Sequence, residues 1–365
     1  MPKDSPVSGS SSTSSIVPHS RPTLGEREQA AVAEVLASGQ IAQGPQVQAL
    51  EEEAAGYFGS AGAVAVGSGS QALLLALKSL GLGEGARVAM PAFTCSAVLH
   101  AVEWAGSDPV LLDTAEGELA PDPSTIERLE GPIDAIIIVH PWGNPLDTAA
   151  WKDTAPLLIE DCAQSMGARW ADRPVGSLGD AAMVSFYATK MLCAGEGGLL
   201  TAPKQETIEA ARDLRDYDKK PEHARRFNFK MSDLQAALAR IQWSRLSEFV
   251  DKRRSLAQRY DTEVPALGLT PVVTPPEATG TYYRYLCWAG RDVSPLLDYC
   301  QSNGIYCRRP VPITLDRLLK LPPLPNTMQA WNRVIGLPIY PTLKEMEQDQ
   351  VLEVLGMARG KGLLD

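Results

Sequence analysis

The sequence predicts an α/β fold in which a mostly parallel, seven-stranded sheet lies between helices and is followed by a smaller C-terminal α+β domain. Three observations predict this fold. From about residue 63 to residue 202, short aliphatic runs alternate with stretches of helical spacing. Each run is apolar almost throughout, as is typical of strands that are buried on both faces. The chain has 365 residues and is 44% hydrophobic, which is enough to bury one large core and a second, smaller one.

The N-terminal segment precedes this core. Residues 1–20 are rich in serine and contain too little apolar material to fold, so we expect a disordered tail there. The first helix is expected to begin at Thr23, whose hydroxyl can cap it together with Glu26, and to end at Gly39. A second amphipathic helix is predicted over residues 46–58.

The core elements follow in chain order. A helix is predicted from about Gln71 to Leu80, between the first two strands. Ligands of such sheets bind at the carboxyl ends of the strands, so the residues after each run are candidates for a site. The seven runs predict strands over residues 63–66, 87–90, 109–112, 135–140, 156–161, 181–187 and 197–202. The candidate positions at the strand ends are residues 67–70, 91–94, His140, Asp161 and residues 187–190.

The last third of the chain is predicted to form the small domain. One long helix is expected from Ser232 to about Tyr260, where it leaves the large domain. Residues 281–290 are expected to form a strand and residues 296–304 a helix. We therefore divide the chain into the tail (1–20), a large cofactor-binding domain (21–240) and a small C-terminal domain (241–365).

Composition excludes several classes of function. Acidic residues outnumber basic ones by 44 to 34, giving a net charge of −10, so a broad surface for nucleic acid is not expected. No apolar run reaches the roughly 18 residues of a membrane span, and no secretion signal is visible, so we expect a cytoplasmic protein without a membrane partner. The six cysteines form no C-x-x-C pair and there are only four histidines, so neither disulfides nor a metal site is predicted.

Three segments could carry chemistry, and the first is VGSGSQA at residues 66–72. It is a glycine-rich turn between a strand and a helix, whose free N–H groups can bind a phosphate. It also matches G-x-G-x-x-A, the dinucleotide fingerprint, from Gly67 through Gly69 to Ala72. The acidic residue that this fingerprint requires about 20 positions later is missing, which disfavours a nicotinamide cofactor. A tight turn without a ligand is the alternative.

The second segment, LIEDCAQ at residues 158–164, ends an apolar strand in two carboxylates. Successive strand residues point to opposite faces, so one of Glu160 and Asp161 can face a cavity while the other meets the flanking helices. The carboxylate at the cavity could be a metal ligand, a general base or the partner of a cationic ring nitrogen. A helix cap or an ion pair is the structural alternative.

The third segment, SFYATKMLCAGEGG at residues 185–198, places Lys190 a few residues past a strand end. A lysine in a confined site can lose its proton and form a Schiff base with a carbonyl, although most lysines are solvated surface charges. Together the three segments supply a phosphate cradle, a carboxylate, a lysine and a hydroxyl. Pyridoxal phosphate needs each of these groups, so the combination predicts that cofactor.

Seven sequence blocks occur in order along the chain, namely GSGSQALLLAL, MPAFT, HPWGNPLD, IEDCAQSMGA, GSLGDAAMVSFYATK, GEGGLLTA and FNFKMSDLQAAL. These blocks resemble the DegT/DnrJ/EryC1/StrS family of pyridoxal-phosphate-dependent sugar aminotransferases of fold type I. The resemblance covers nearly the whole chain after the tail and implies a fold-type I aminotransferase-like architecture. Seven ordered blocks are highly specific, whereas any one of them alone would be weak.

The resemblance implies roles for individual residues. Lys190 would form the Schiff base with the cofactor and move protons during transamination, and Asp161 would pair with the pyridinium nitrogen. A lysine rather than a histidine at position 190 argues against the relatives that act as sugar dehydratases. Gln164 would approach the ring hydroxyl. Family members are dimers with active sites at the subunit interface, so a homodimer with shared active sites is implied. Phosphate contacts are implied for Gly69, Ser70, Gln71, Ser185 and, reaching across from a partner subunit, Asn228.

Three positions depart from the family pattern. Cys95 stands where the family usually has an aromatic residue that stacks on the pyridine ring, which predicts weaker retention of the cofactor. HPWG replaces the commoner HLYG, so His140 and Trp142 are expected near the substrate, with a buried core tryptophan as the alternative. Arg308 and Arg309 stand where relatives often carry a His and a Tyr, and they could bind an anionic substrate group or lie in surface ion pairs.

The sequence therefore predicts a pyridoxal-phosphate-dependent aminotransferase. Glutamate or glutamine would donate the amino group, and the acceptor would be a keto sugar, expected to be nucleotide-linked, or a related keto cyclitol. The alternative is a cofactor-binding protein of the same fold with a regulatory or non-transaminase role. A nicotinamide-linked oxidoreductase is a third hypothesis, which dinucleotide-binding calorimetry would test.

Overall fold

The computed structural model describes residues 16–218 and 220–365. The described helices are α1 (Glu26–Ser38), α2 (Pro45–Phe58), α3 (Gly69–Ser79), α4 (Ser96–Ala105), α5 (Gln205–Arg215), α6 (Asp233–Ser244), α7 (Leu246–Glu263), α8 (Ser294–Ser302), α9 (Leu315–Leu318), α10 (Pro325–Arg333) and α11 (Glu345–Gly360). The described strands are β1 (Gly62–Val66), β2 (Arg87–Pro91), β3 (Asp108–Leu112), β4 (Ala135–Val139), β5 (Leu157–Asp161), β6 (Arg169–Trp170), β7 (Arg173–Pro174), β8 (Ala181–Ser185), β9 (Gly198–Ala202), β10 (Leu269–Pro271), β11 (Ala278–Thr279), β12 (Tyr285–Ala289) and β13 (Val334–Leu337).

The large sheet has seven strands in the order β1-β9-β8-β5-β4-β2-β3. All neighbouring pairs are parallel except those made by β9, which is antiparallel to both β1 and β8. The seven predicted strands and the mostly parallel sheet are therefore confirmed. Because β1, β5, β8 and β2 run in the same direction, their carboxyl ends lie along one edge of the sheet.

Helices cover both faces of this sheet, and β1 illustrates how its sequence allows that. Val64 and Val66 pack into a core with α3, α4 and α5. Ala63 and Ala65, which point the other way, pack with α2 and α6 on the opposite face of the sheet. Every residue of β1 is buried, as a strand between two helical layers requires.

The first helix differs from its prediction at the start and agrees at the end. It begins at Glu26 and not at Thr23, because the Glu28 carboxylate accepts a hydrogen bond from the N–H of Gly25 at 2.8 Å and makes Gly25 the capping residue. Gly39 ends the helix with φ of 71°, a left-handed conformation that glycine adopts without strain. The second helix ends at Phe58 as predicted.

The second core is built on the three-stranded antiparallel sheet β10-β12-β13. Side chains of α7, α8 and α11, including Tyr260, Leu296 and Leu355, complete it. Val17 also belongs to this core, because it is fully buried and pairs with Ile305. Residues 16–20 are therefore part of the fold, and the predicted tail was too long by these residues. The rest of that prediction, residues 1–15, lies outside the described residues.

The predicted long helix from Ser232 is two helices. At Arg245 the backbone leaves helical geometry, with φ of −104° and ψ of 5°, and its guanidinium pairs with Glu28 and Glu248. Helix α7 then contributes Phe249 to the core under the large sheet and Tyr260 to the second core. The predicted domain boundary at residue 240 falls inside α6, and we propose that α7 joins the two domains. Within the described ranges, no helix has the length and apolar character needed to cross a membrane.

Candidate active site

A cavity of about 220 Å³ opens at the carboxyl ends of β1, β2, β5 and β8. It collects residues from five of the blocks that were singled out in the sequence. Of the predicted site residues, the cavity brings together Gly69, Ser70, Cys95, Asp161, Gln164, Ser185 and Lys190. Its other lining residues include Ser68, Thr94, Met183, Tyr187 and Glu196.

The turn between β1 and α3 forms one end of the cavity. The Ser68 hydroxyl caps α3 by accepting a hydrogen bond from the N–H of Gln71 at 3.2 Å. The N–H groups of Gly69 and Ser70 have no hydrogen-bond partner among the described residues. A Cβ at Gly69 would lie 2.8 Å from the Cβ of Ser185, so only glycine lets the turn approach this strand end. The result is two free amide donors, a helix N-terminus and a serine hydroxyl at one place, which suits a phosphate.

Gln71 is not part of the cavity lining, contrary to the prediction. Its backbone N–H is already used in the cap of α3. Its side-chain Oε1 is buried without a partner and lies next to Gly67. The capping bond of Ser68 uses the backbone donor that the prediction assigned to the phosphate, and the spacing of Ser68 and Gln71 is the local signal that could have shown it.

Asp161 ends β5 and lines the cavity with only 6% of its surface exposed. Its Oδ1 accepts a hydrogen bond from the N–H of Ala163 at 2.9 Å. Burial raises the pKa of Asp161, and the Ala163 N–H and the nearby charge of Lys190 oppose that effect. A buried carboxylate with so little internal compensation suits a cationic group that arrives from outside.

Lys190 also lines the cavity, and its backbone N–H closes a turn onto the carbonyl of Tyr187 at 2.8 Å. Its Nζ lies 5.5 Å from the ring centroid of Tyr283. Thr189 lies next to the Tyr283 hydroxyl and acts to lower its pKa. Burial acts to raise the pKa of Tyr283, but the charges of Lys190 and Arg284 outweigh it and lower that pKa. Sequence reasoning missed Tyr283, because it lies 93 positions after Lys190 in a segment identified only as a strand.

Glu160, the neighbour of Asp161, points away from the cavity and is fully buried. Its oxygens accept hydrogen bonds from five groups within the protein. Burial acts to raise the pKa of Glu160, but these hydrogen bonds, that of His140 foremost, hold it at about 2. The donors are His140 Nε2, Thr148 Oγ1 and the backbone N–H groups of Gly176, Leu178 and Gly179, at 2.7–2.9 Å.

His140 has both ring nitrogens engaged inside the protein. Nδ1 accepts a hydrogen bond from the N–H of Leu146 at 3.0 Å, so the proton is on Nε2, which donates to Glu160 at 2.9 Å. The ring is fully buried and does not line the cavity. The expectation that His140 contacts substrate is therefore wrong, because no atom of the ring is free to do so.

Trp142 is a buried core residue, the alternative considered for it, and its ring packs 5.1 Å from that of Phe93. Its backbone has a positive φ of 54° and makes two useful contacts. The Trp142 N–H donates to Oε1 of Gln164 at 3.0 Å, and its carbonyl accepts from the N–H of Arg284 at 3.1 Å. Trp142 therefore positions Gln164 and the segment around Tyr283, and it is not among the lining residues.

The two adjacent arginines have different environments. The guanidinium of Arg309 lies 4.0 Å from the ring centroid of Trp331 and donates to the Trp331 carbonyl and to Ser294. Arg309 also pairs with Asp292 at 3.4 Å and lines neither cavity, so the structure favours the ion-pair alternative for this residue. Arg308 is exposed and lines a second cavity next to the first.

Cys95 and Asn228 are both exposed. Cys95 precedes α4 and lines the cavity beside Thr94 and Val98, as predicted from its position. Asn228 lies in an extended segment that pairs with Asp216, and it does not line the cavity of its own chain. Its predicted role in a partner's site stays a prediction.

The described residues fit pyridoxal phosphate. Free amides of Gly69 and Ser70 at a helix start suit its phosphate, and the amine of Lys190 suits its aldehyde. The buried Asp161 carboxylate, which has one internal hydrogen bond on Oδ1, suits its cationic ring nitrogen.

Comparison with known families agrees with this site. The model of the DegT/DnrJ/EryC1/StrS aminotransferase family matches residues 22–356. The chain is 31% identical to the spore coat polysaccharide biosynthesis protein SpsC of Bacillus subtilis, covering 93% of this chain and 96% of that one. It is 33% identical to the dTDP-3-amino-3,4,6-trideoxy-alpha-D-glucose transaminase of Streptomyces venezuelae, covering 90% of each. It is 32% identical to a pleiotropic regulatory protein of Geobacillus stearothermophilus, covering 88% of this chain and 91% of the relative.

Solved structures of similar fold are aminotransferases. The aminotransferase TlmJ of Streptoalloteichus hindustanus superimposes with a TM-score of 0.89 at 28% identity, covering 95% of this chain and all of that one. A putative sugar aminotransferase of Streptococcus pneumoniae in its PLP form superimposes with a TM-score of 0.88 at 21% identity, covering 96% of this chain and all of that one. At 21% identity the second similarity indicates the shared fold alone.

Proposed function

Because this chain belongs to the DegT/DnrJ/EryC1/StrS aminotransferase family, we propose that it transfers the amino group of glutamate or glutamine to a keto sugar or a related keto cyclitol. It is a pyridoxal-phosphate-dependent aminotransferase of fold type I. The observation that carries the proposal is the convergence of Lys190, Asp161 and the free amides of Gly69 and Ser70 on one cavity. A nucleotide-linked acceptor is favoured by the dTDP-sugar transaminase among the relatives.

Pyridoxal phosphate, when bound, supplies the aldehyde and the electron-withdrawing ring on which amino groups are exchanged. Gly69, Ser70 and Ser185 would hold its phosphate through amide and hydroxyl donors. Gln164, which the N–H of Trp142 orients, would lie on the side of the ring hydroxyl. These contacts leave the amine of Lys190 as the reactive group of the cavity.

Lys190 would attach the cofactor and then act as the base that moves protons. Its amine would hold the proton that leaves the amino donor and pass it on within the cavity. The Tyr283 ring, whose centroid lies 5.5 Å from Nζ, limits where the amine can go. A confined amine takes up and returns a proton at defined positions.

Asp161 would keep a proton on the ring nitrogen of the cofactor. Its carboxylate is buried and its pKa is raised because burial penalises the charge. A cationic ring nitrogen beside it would restore a favourable environment for the negative form. This pairing holds a positive charge at the ring, where it is needed during proton removal.

We also propose that the active protein is a homodimer with shared sites. Asn228 is exposed and lies outside the cavity of its own chain. It would complete the phosphate contacts of the neighbouring subunit. A chain that is monomeric in solution at the concentrations where it is active would contradict this part of the proposal.

The test is substitution of the proposed Schiff-base lysine. We expect the purified, cofactor-loaded protein to be yellow and glutamate or glutamine to bleach the colour. In Lys190→Ala the covalent attachment and the bleaching should both be lost, whereas Lys152→Ala, which changes an exposed lysine, should behave like the wild type. Persistence of both colour and donor reactivity in Lys190→Ala would overturn the assignment.

A binding protein with a regulatory role is the second candidate. It is motivated by Cys95 in place of a stacking aromatic residue and by the regulatory protein among the relatives. The same experiment separates the two candidates. Colour without bleaching by any amino donor would favour the regulatory role over transamination.

A further inference from the structure

A second cavity of about 510 Å³ adjoins the cofactor cavity, and Tyr187 lines both. We call it the arginine pocket, after Arg284 and Arg308 in its wall. Its remaining walls come from residues far apart in the sequence. They are Ile16, Pro18, His19 and Ser20 from the N-terminal segment, Tyr187 and Thr189 from the loop after β8, and Tyr306 from the small domain.

The charge of the arginine pocket is uncompensated. In the parts of the chain that the structure describes, neither Arg284 nor Arg308 forms an ion pair with a carboxylate or donates a side-chain hydrogen bond. A third cation, Arg253, is buried and close enough for its charge to act on His19, and among the described residues it donates to the carbonyls of Tyr282, Tyr283 and Ile339. Three positive charges without a carboxylate are unusual in a protein of net charge −10, and they repel one another unless an anion joins them.

His19 lies close to the same arginines and is affected by their charge. It is 6% exposed, and its Nδ1 is buried without a hydrogen-bond partner. Burial lowers the pKa of His19 strongly, and the charges of Arg284 and Arg308 lower it further. Counting only residues 16–218 and 220–365, the pocket therefore holds a buried polar atom without a hydrogen-bond partner and two guanidinium groups without a carboxylate partner.

The pocket lies close to the reacting lysine. Lys190 Nζ is 5.5 Å from the Tyr283 ring centroid, and the guanidinium carbon of Arg284 is 5.2 Å from the same centroid. Both cations therefore lie around one aromatic ring, and Tyr187, which is half exposed, lines both cavities. A molecule long enough to extend past the Tyr283 ring would place one group at Lys190 and another in the arginine pocket.

We propose that Arg284 and Arg308 bind an anionic group of the amino acceptor and so select a negatively charged keto substrate. The group is either a phosphoryl of a nucleotide-linked sugar or a carboxylate carried by the sugar itself. Both present planar or tetrahedral arrays of oxygens that guanidinium groups bind through paired hydrogen bonds. This inference rests on the proposed function, because it names the residues that bind the amino acceptor in the second half of that reaction.

The test measures anion binding to the cofactor-loaded protein, in which the phosphate cradle is already filled. Calorimetric titration with inorganic pyrophosphate and, separately, with glucuronate should give saturable binding of at least one. Arg284→Gln and Arg308→Gln should each weaken that binding by about tenfold, the usual effect of losing a charge-assisted hydrogen bond. Arg317→Gln is the matched control, because Arg317, like Arg308, is exposed and has no ion pair with any described residue, but it lies outside the pocket. Tighter binding of pyrophosphate indicates a phosphorylated acceptor, and tighter binding of glucuronate indicates a sugar acid.

The two half-reactions identify which substrate uses the pocket. Bleaching by glutamate should have the same dependence on glutamate concentration, within about twofold, in the wild type and in Arg308→Gln. If Arg308→Gln instead raises the glutamate concentration needed by tenfold, the pocket binds the donor and the proposal is wrong. It is also wrong if neither anion binds, or if the Gln variants bind as the wild type does. Anion binding that depends on both arginines in a protein that does not transaminate would refute the proposed function and leave the pocket in place.

Discussion

Glu160 and Asp161 are neighbours at the end of β5, yet one lies on the closed side of the sheet and the other lines the cavity. Glu160 is fully buried and accepts hydrogen bonds from five donors. Asp161 is almost as buried, but its Oδ1 accepts one hydrogen bond, from the N–H of Ala163. Burial acts in the same direction on both groups, and the number of donors makes the difference. The pKa of Glu160 falls to about 2, whereas the pKa of Asp161 rises.

These two carboxylates are similarly buried but accept different numbers of hydrogen bonds. The number of donors, more than burial, distinguishes a structural carboxylate from one that can bind a ligand. The donors around Glu160 include the N–H groups of the turn at Gly176–Gly179, so this carboxylate fixes that turn and the His140 ring against the sheet. Asp161 fixes only its own turn and keeps the capacity to bind a cation. We therefore expect Glu160 to determine stability and Asp161 to determine catalysis.

The largest expected effect is on stability, from Glu160→Ala. Removing this carboxylate leaves a set of buried donors without an acceptor, which typically costs about 3–5 kcal/mol of unfolding free energy. Urea unfolding of the apo protein measures it. The control is Glu103→Ala, which breaks a surface pair with His100 and should cost less than about 1 kcal/mol. If the two substitutions lower the unfolding free energy equally, the hydrogen bonds to Glu160 do not contribute to stability as expected.

On the cavity side, Asp161→Asn should lower the rate of bleaching by glutamate by about 100- to 1,000-fold, because a neutral amide cannot hold the ring nitrogen as a cation. Asp161→Asn should not lower the unfolding free energy, in contrast to Glu160→Ala. The raised pKa means that the ionised carboxyl opposes folding as the pH rises through its folded value, so the neutral amide should leave apo stability near pH 7 unchanged or higher. Stopped-flow absorbance and urea unfolding give the two quantities, with Asp153→Asn, at an exposed position, as the control. An Asp161→Asn protein that is less stable than the wild type but bleaches at the wild-type rate would mean that Asp161, like Glu160, is a structural residue.

The pH dependence of the unfolding free energy is a second test of the structural role of Glu160. The folded pKa of Glu160, about 2, lies below the ordinary value of 4.5, so its contribution is complete above about pH 4.5 and is lost as the pH falls toward 2. The difference in unfolding free energy between wild type and Glu160→Gln should therefore shrink by up to about 3 kcal/mol over that interval. Urea unfolding at a series of pH values measures it. A difference that stays constant with pH would mean that folding does not lower the pKa of Glu160.

The sequence allowed the sheet and the local parts of the site to be predicted, because both depend on short stretches of chain. Apolar runs predict buried strands, and the residues that follow them must lie at one edge of a parallel sheet. Gly69, Asp161 and Lys190 all come directly after or close to such runs and meet in the cavity. Alternation along β5 also predicts that Glu160 and Asp161 face opposite ways.

The errors arise where long-range partners decide the outcome. His140 has the right chemistry and position in the sequence, but Glu160 and Leu146 already occupy both of its ring nitrogens in the fold. Tyr283 and Arg284 come from a distant segment that the HPWG turn holds in place, and the N–H of Arg284 donates to the Trp142 carbonyl. Arg245 interrupts a continuous helical pattern because its side chain pairs with Glu28, more than 200 residues earlier. No local pattern carries these contacts.

The smallest expected effect lies in the cavity wall, at Cys95. Its side chain is exposed and lines the cavity, so a larger side chain can enter without displacing the core. An aromatic ring there gains about 0.5–1.5 kcal/mol from contact with the pyridine ring, which corresponds to a two- to tenfold slower loss of pyridoxal phosphate from Cys95→Phe. Fluorescence of the cofactor released during dialysis measures the rate. Cys95→Ser, of similar size but without a ring, should lose cofactor as fast as the wild type. Faster loss of pyridoxal phosphate from Cys95→Phe would show that the cavity wall at Cys95, like the buried surroundings of Glu160, has no room for a larger side chain.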